Sequence, residues 1–214
     1  MSRVAKDPVI RREELIDIAE ELFLKNGYEE TPVSDIVQKA DVAQGTFYYY
    51  FRSKDEILDA LVDRYLEMFA TIVTEQIQKD DLTAAEKLIN VFKGSSKMSL
   101  GKKQLVGYMH EEKNALLHLK AERKSYPVIA PLFAKIIEQG VKEGVFNTAY
   151  PFETAKTMMG CWDTLFDLQN FYEMTAEEKI RTVKAAFYIM ERLLGAKQGS
   201  LAKPFVTMEE LFEQ

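Results

Sequence analysis

Cysteine is almost missing from this chain of 214 residues. Cys161 stands alone, which excludes an intramolecular disulfide and any zinc site built on several thiolates. A reducing, cytoplasmic setting is the matching expectation. Histidine is nearly as scarce: His110 and His118 share a helical face with Asn114, but eight residues of helix span about 12 Å. That is too far for one metal ion, so neither a metal nor any other cofactor is expected. No window approaches the roughly 18 uninterrupted apolar residues of a membrane span, and MSRVAKDPVIRREE lacks the apolar centre of a signal peptide. No membrane partner is expected. There is no Gly-rich phosphate loop, no nucleophile–base signature and no metal-ligand cluster. No catalytic residue is nominated, and the chain is not expected to be an enzyme.

What is present is an ordinary globular composition, 47% hydrophobic and 29% charged. The net charge of −6 argues mildly against nucleic acid. Its distribution softens that objection. Glu13, Glu14, Asp17, Glu20 and Glu21 lie on one early helical segment, whereas Ile36 to Lys54 holds Lys39, Arg52 and Lys54 against Asp41 alone. Affinity for DNA depends on the charge that faces the phosphates, not on the total.

The hydrophobic pattern is helical throughout, with no convincing strand and no internal repeat. Arg3 to Asp7 reads as a short arm. A helix follows from Pro8 to Asn26, burying Leu15, Ile18, Ala19, Leu22 and Phe23, with Asn26-Gly27 as its stop and Tyr28 packed beneath it. Thr31 is read as the N-cap of a second helix with Pro32 in its first position, and Ile36, Val37 and Ala40 as its inner face. Asp41-Val42 makes a turn into a short third helix, Gln44 to Phe51. There Phe47, Tyr50 and Phe51 form one stripe, and Gln44, Thr46, Tyr48 and Tyr49 fall outside it. Ser53-Lys54-Asp55-Glu56 is a capping box that opens a long fourth helix, 54–78. Further helices are expected at 83–93, 102–122, 127–143, 152–171 and 175–195, separated at Gly94-Ser95-Ser96, Ser125-Tyr126-Pro127, Gly144 to Pro151 and Met174-Thr175.

From Gly27 to Leu58 the chain resembles the TetR family of bacterial transcriptional repressors. The resemblance rests on Gly27-Tyr28, Thr31, Asp35-Ile36, the run Gly45-Thr46-Phe47-Tyr48-Tyr49-Tyr50-Phe51, and Ser53-Lys54-Asp55-Glu56. One departure is Ala43, where the family often has a serine as N-cap of the recognition helix. The resemblance implies an all-α fold of about nine helices. Residues 1–53 would be a three-helix helix-turn-helix domain, 54–195 an effector-binding and dimerisation domain, and 196–214 a tail. Position by position, it implies that Gln44, Gly45, Thr46 and Tyr48 face base edges or a thymine methyl, and that Thr31, Tyr49 and Lys54 hold phosphates. The chemistry suits those roles: glutamine pairs bidentately with adenine, and hydroxyls and ammonium groups suit phosphate oxygens.

The resemblance also implies double-stranded DNA with a palindromic operator as partner, and a homodimer formed by the last two long helices. Gly160 and Ala185-Ala186 would let those helices approach closely. Candidates for a small apolar or aromatic effector are Phe92, Tyr108, Met109, His110 and Tyr126, with Met158, Met159, Trp162 and Phe166. His118 and Phe133 belong to the same wider set. The function implied is a ligand-responsive repressor released from its operator by that effector. The alternative is a helical ligand-binding or interaction protein of the same fold with weak or no DNA binding, which the acidic charge favours.

Overall fold

A computed structural model of the chain describes residues 7–101, 115–165 and 174–201. Those residues form eight helices and no strand: α1 (Pro8–Asn26), α2 (Val33–Lys39), α3 (Gln44–Tyr50), α4 (Lys54–Ile77), α5 (Ala84–Gly101), α6 (Ala115–Lys142), α7 (Pro151–Leu165) and α8 (Ala176–Leu193). They divide into two compact units. Residues 7–65 with 115–121 form the first, and the remaining described residues form the second. Both α4 and α6 contribute to each unit.

The first unit is a three-helix platform closed by the start of α4. Asp7 caps α1 by accepting a hydrogen bond from the Val9 N–H at 2.8 Å. Gly27 ends it with φ 93° and ψ 157°, backbone that a side chain would strain, while its N–H donates to Phe23 O at 2.8 Å. Leu15, Ile16, Ala19 and Phe23 are buried, and Tyr28 sits edge-on to Phe23 beneath the helix end, ring centres 5.2 Å apart. Ile16 is buried as well, whereas Ile18 and Leu22, expected in the core, lie half-buried. Ile36, Val37 and Ala40 are buried as their spacing requires. The turn into α3 runs through Asp41 at φ 52°, a left-handed conformation that aspartate tolerates better than most residues, and the Val42 N–H closes it on Val37 O at 3.0 Å.

The start of α2 differs from its expected form. Pro32, not Thr31, is the N-cap, and no side chain caps the helix. Thr31 is fully buried, and its hydroxyl donates backward to Gly27 O at 2.7 Å, with Leu22 O at 3.3 Å. The hydroxyl is donated to carbonyls at the end of α1, and no side chain accepts from the first N–H groups of α2. At α4, Ser53 Oγ accepts from the Glu56 N–H at 3.1 Å as a capping box requires. The Glu56 carboxylate returns to the Arg52 N–H at 2.6 Å, one residue earlier than in the standard box.

The second unit packs the later part of α4 with α5 to α8 around Val73, Leu88, Val91, Ile129, Ile136, Ile137 and Phe187. Two expected breaks are absent. α5 continues through Gly94, where a β-carbon would stand 3.0 Å from Ile72 of α4. The glycine therefore serves a close helix approach and does not end the helix. α6 likewise runs through Pro127 and Pro131, where the sequence predicts a boundary at Ser125-Tyr126-Pro127. An internal proline costs about 3 kcal/mol. Both rings lie on the exposed side, where water can satisfy the carbonyls freed at Arg123 and Pro127. On the opposite side Ile129, Ala130, Phe133, Ala134, Ile136 and Ile137 are buried. At ~1.5–3 kcal/mol for each of the four large side chains, that burial offsets the two prolines.

Phe146 folds back onto Gly140 so closely that no β-carbon would fit there, closing the turn after α6. Two helix starts carry capping boxes that motif reading passed over. Thr83 and Glu86 reciprocate ahead of α5, and Thr175 and Glu178 at α8. Both are S/T-x-x-E patterns visible in the sequence. Residues 1–6, 102–114, 166–173 and 202–214 lie outside the described residues, and with them most of the arm expected at Arg3 to Asp7, the start of the helix expected at 102–122, the end of that at 152–171 and most of the tail.

Candidate nucleic-acid interface and effector cluster

The short helix α3 sorts its aromatic residues by phase. Phe47 and Phe51 are fully buried, their ring centres 5.7 Å apart. Tyr48 is 49% exposed and Tyr49 76%. Tyr50, expected in the core stripe, is only half-buried, because the helix ends at it and Phe51 turns inward from extended backbone. Each exposed tyrosine is braced edge-on by a neighbour, Tyr48 against Phe47 at 5.4 Å and Tyr49 against Tyr50 at 4.8 Å. Such contacts add order at the surface without hiding the hydroxyl.

Ala43, Gln44 and Gly45 are exposed and Thr46 is half-buried, so this first turn of α3 and the two tyrosines form one continuous face. Gly45 has no atom within 4 Å of where a β-carbon would lie, and its φ is not positive. Nothing inside the protein requires a glycine there. Thr31 does not join this face. A fully buried hydroxyl with two carbonyl partners has no surface for a phosphate, so the expectation for Thr31 is corrected to a structural role.

Lys54 is largely a strut. Its ammonium donates to Tyr28 O at 2.7 Å and Glu29 O at 3.1 Å and lies 4.4 Å from the Tyr28 ring centre, leaving at most one N–H for a phosphate. Arg52, two residues earlier, is exposed at the same corner. The sequence reading counts it in the local charge balance but gives it no DNA contact. The available signal was that Val42 to Lys54 holds two cations and no acid.

Several acids of the first unit, most of them on α1, are engaged in ion pairs. Arg64 of α4 binds Asp17 and Glu20, with Glu13 at 3.7 Å, Lys39 pairs with Glu21, and Arg11 with Glu14 at 2.6 Å. Burial alone would lower the Arg64 pKa, but its hydrogen bond to Asp17 and the charges of Glu20 and Asp17 raise it. Tyr65 donates to Glu20 as well, and burial together with that bond pushes its hydroxyl pKa well up. From α6, Lys120 reaches Asp55 and Asp59, both at 2.9 Å.

The candidate effector residues within the described part converge in the second unit. Phe92 of α5 stacks on Trp162 of α7, ring centres 4.7 Å apart and 15° from parallel, and meets Phe187 of α8 edge-on at 5.9 Å. Met158 is buried beside them, with Met159 and Trp162 partly buried and Phe133 in the same core. Phe187 was not among the sequence candidates, although it lies in the apolar run AAFYIM of α8. Tyr126 is half-buried, and its hydroxyl faces Gly160, where a β-carbon would lie 3.4 Å away. Burial, then Asp163 and Glu122, raise its pKa. Tyr108, Met109, His110 and Phe166, and the side chain of His118, lie outside the described residues. Among the described residues no group of acids, histidine and cysteine could hold a metal ion, and no helix is long and apolar enough to cross a membrane.

Comparison with known proteins shows what the chain is similar to. Residues 15–61 match the family described as bacterial regulatory proteins, tetR family, and residues 97–188 match the tetracyclin repressor-like C-terminal domain. The fatty acid metabolism regulator protein of Bacillus subtilis is 41% identical over 75 residues, 35% of this chain and 38% of that protein. The HTH-type transcriptional repressor KstR2 of Mycobacterium tuberculosis is 28% identical over 154 residues, 69% of this chain and 74% of that one. The chain therefore spans well under half of the first relative and about three quarters of the second. Among solved structures, the transcriptional regulator FadR from Bacillus subtilis in complex with stearoyl-CoA superposes with a TM-score of 0.65 at 24% identity, covering 85% of this chain and 97% of that one.

Proposed function

The chain belongs to the TetR family of bacterial transcriptional regulators, and from that premise we propose that it is a cytoplasmic repressor which lays α3 into the major groove of a palindromic operator and leaves it when a small apolar effector binds. The observation that carries this reading is the acid-free polar face of α3, held on the buried pair Phe47 and Phe51. Gln44, Gly45, Thr46 and Tyr48 meet base edges, Tyr49 and Arg52 meet phosphates, and Lys54 adds its remaining N–H. DNA reading resides in residues 1–53 and effector binding and pairing in 54–195.

A single platform of this size reads one half-site. A homodimer through α7 and α8 would place two recognition helices about 34–36 Å apart. Support comes from the apolar surface that those helices leave uncovered. Phe152 and Tyr188 are 42% and 50% exposed, with Lys156 and Arg192 set over their rings at 5.9 and 5.2 Å. The test of the function is selection of duplexes from a random pool by the full chain, followed by salt titration of the best. Palindromic sites whose affinity falls steeply with salt are expected. Failure to enrich any sequence favours the alternative, a helical interaction protein of the same fold.

The effector would enter the cluster of Phe92, Tyr126, Met158, Met159 and Trp162. Long-chain acyl thioesters, as in the FadR complex, and planar aromatics are the first compounds to try, with the single tryptophan as fluorescent reporter. Release is a population shift: the effector favours a dimer spacing that the operator does not, and α4, one helix from Lys54 to Ile77 shared by both units, carries the difference.

A further inference from the structure

Resting on the reading of α3 as the DNA-reading helix, we infer that the bases it faces are A·T pairs, with Gln44 as the adenine reader and with no guanine-reading contact from this helix. The exposed or half-exposed residues from Ala43 to Tyr50 are Ala43, Gln44, Gly45, Thr46 and the three tyrosines. Guanine presents two acceptors in the major groove and is read best by arginine or lysine; cytosine presents a donor and is read by a carboxylate. Neither kind of side chain occurs between Val42 and Phe51. Adenine presents an acceptor and a donor side by side, and Gln44 carries the one side chain on this face that can match both together. The methyl groups of Ala43 and Thr46 on the same turn suit the thymine methyl.

Gly45 reinforces the assignment. It is exposed, is not in left-handed backbone, and would meet nothing within 4 Å if given a β-carbon, so the chain spends helix stability on it for no internal reason. A bare backbone between Gln44 and Thr46 lets this turn come close enough for both side chains to reach base edges. The cations Arg52 and Lys54 lie beyond the C-terminal end of α3, at the start of α4, where they suit the phosphates that fix register without reading sequence.

The experiment is duplex selection with the wild-type chain, Gln44→Ala, Gln44→Arg and Arg52→Ala, each first checked for an unchanged melting temperature. Wild-type sites are expected to carry A·T pairs at the positions facing α3. Gln44→Arg should move one symmetric position from adenine to guanine, with roughly 5- to 100-fold discrimination. Gln44→Ala should lose the preference there and keep the others, which holds the test open if the arginine variant does not fold. Arg52→Ala should weaken all sequences evenly. If wild-type sites are enriched but carry guanine at those positions, or if Gln44→Ala changes no base preference, the inference is overturned while the reading as a DNA-binding regulator stands. If no sequence is enriched, that underlying reading fails, and the inference with it.

Discussion

Two aromatic clusters, one in each compact unit, use their side chains in opposite ways. In the first, Phe47 and Phe51 of α3 and its C-cap turn inward, Tyr48 and Tyr49 turn outward, and Tyr50 lies half-buried between them. In the second, Phe92, Trp162, Phe187 and the methionines turn toward one another from three helices and leave little outside. A surface built to hold a rigid, polar duplex needs side chains that are ordered yet exposed. A site for a small apolar molecule needs side chains that are buried yet able to rearrange. The difference predicts that substitutions in the two units separate DNA binding from effector binding.

The largest effect should come from Phe47→Ala, which empties a fully buried position of the small platform. A drop in stability of about 3–5 kcal/mol, seen as a lower denaturation midpoint, should accompany failure to bind the operator. Trp162→Ala should rank next. It removes the stack on Phe92, so stability and effector binding should both weaken, while DNA affinity without effector holds; calorimetry and anisotropy separate the two. Tyr49→Ala should do the reverse, cutting operator affinity about tenfold for roughly 1.4 kcal/mol, with stability unchanged within about 0.5 kcal/mol.

These contrasts follow the line between what the chain's sequence made readable and what it did not. Short-range features were readable. The phase of Phe47 against Tyr48, the Gly27 stop and the Ser53 cap depend on neighbours within one or two turns. Thr31 was misplaced because its hydroxyl serves carbonyls of the preceding helix, up to nine residues back. Gly94 and Pro127 were misread as helix ends because what keeps those helices whole is packing against other helices, which local propensity does not contain. The effector cluster was half readable: Phe92, Met158 and Trp162 meet, but the same pattern would serve an ordinary core, and Phe187 entered only through the fold.

Two smaller effects sharpen the comparison further. Gly45→Ala should stabilise the chain by up to ~1 kcal/mol and weaken operator binding, since the added methyl meets DNA and nothing inside the protein. The smallest concerns the caps of the second unit. Hydrogen bonds from Thr175 and Thr83 hold the carboxyls of Glu178 and Glu86 below their ordinary pKa of 4.5. A lowered folded pKa contributes stability that is present above the unfolded value and fades as pH falls through the folded one. Melting temperature should therefore decline below about pH 4.5, and Glu178→Gln should flatten part of that decline; an identical acid limb in the variant would count against the cap.

The central claim, that the outward face of α3 and its flanking cation hold DNA, is tested most directly by one titration series. Anisotropy of a selected operator duplex would be followed across salt concentrations for the wild type and for Tyr49→Ala/Arg52→Ala. The expected result is an affinity at least tenfold weaker and a log–log salt slope shallower by about 1 for each phosphate that is no longer neutralised, with an unchanged melting temperature. Equal affinity and an equal slope in the double variant would contradict it.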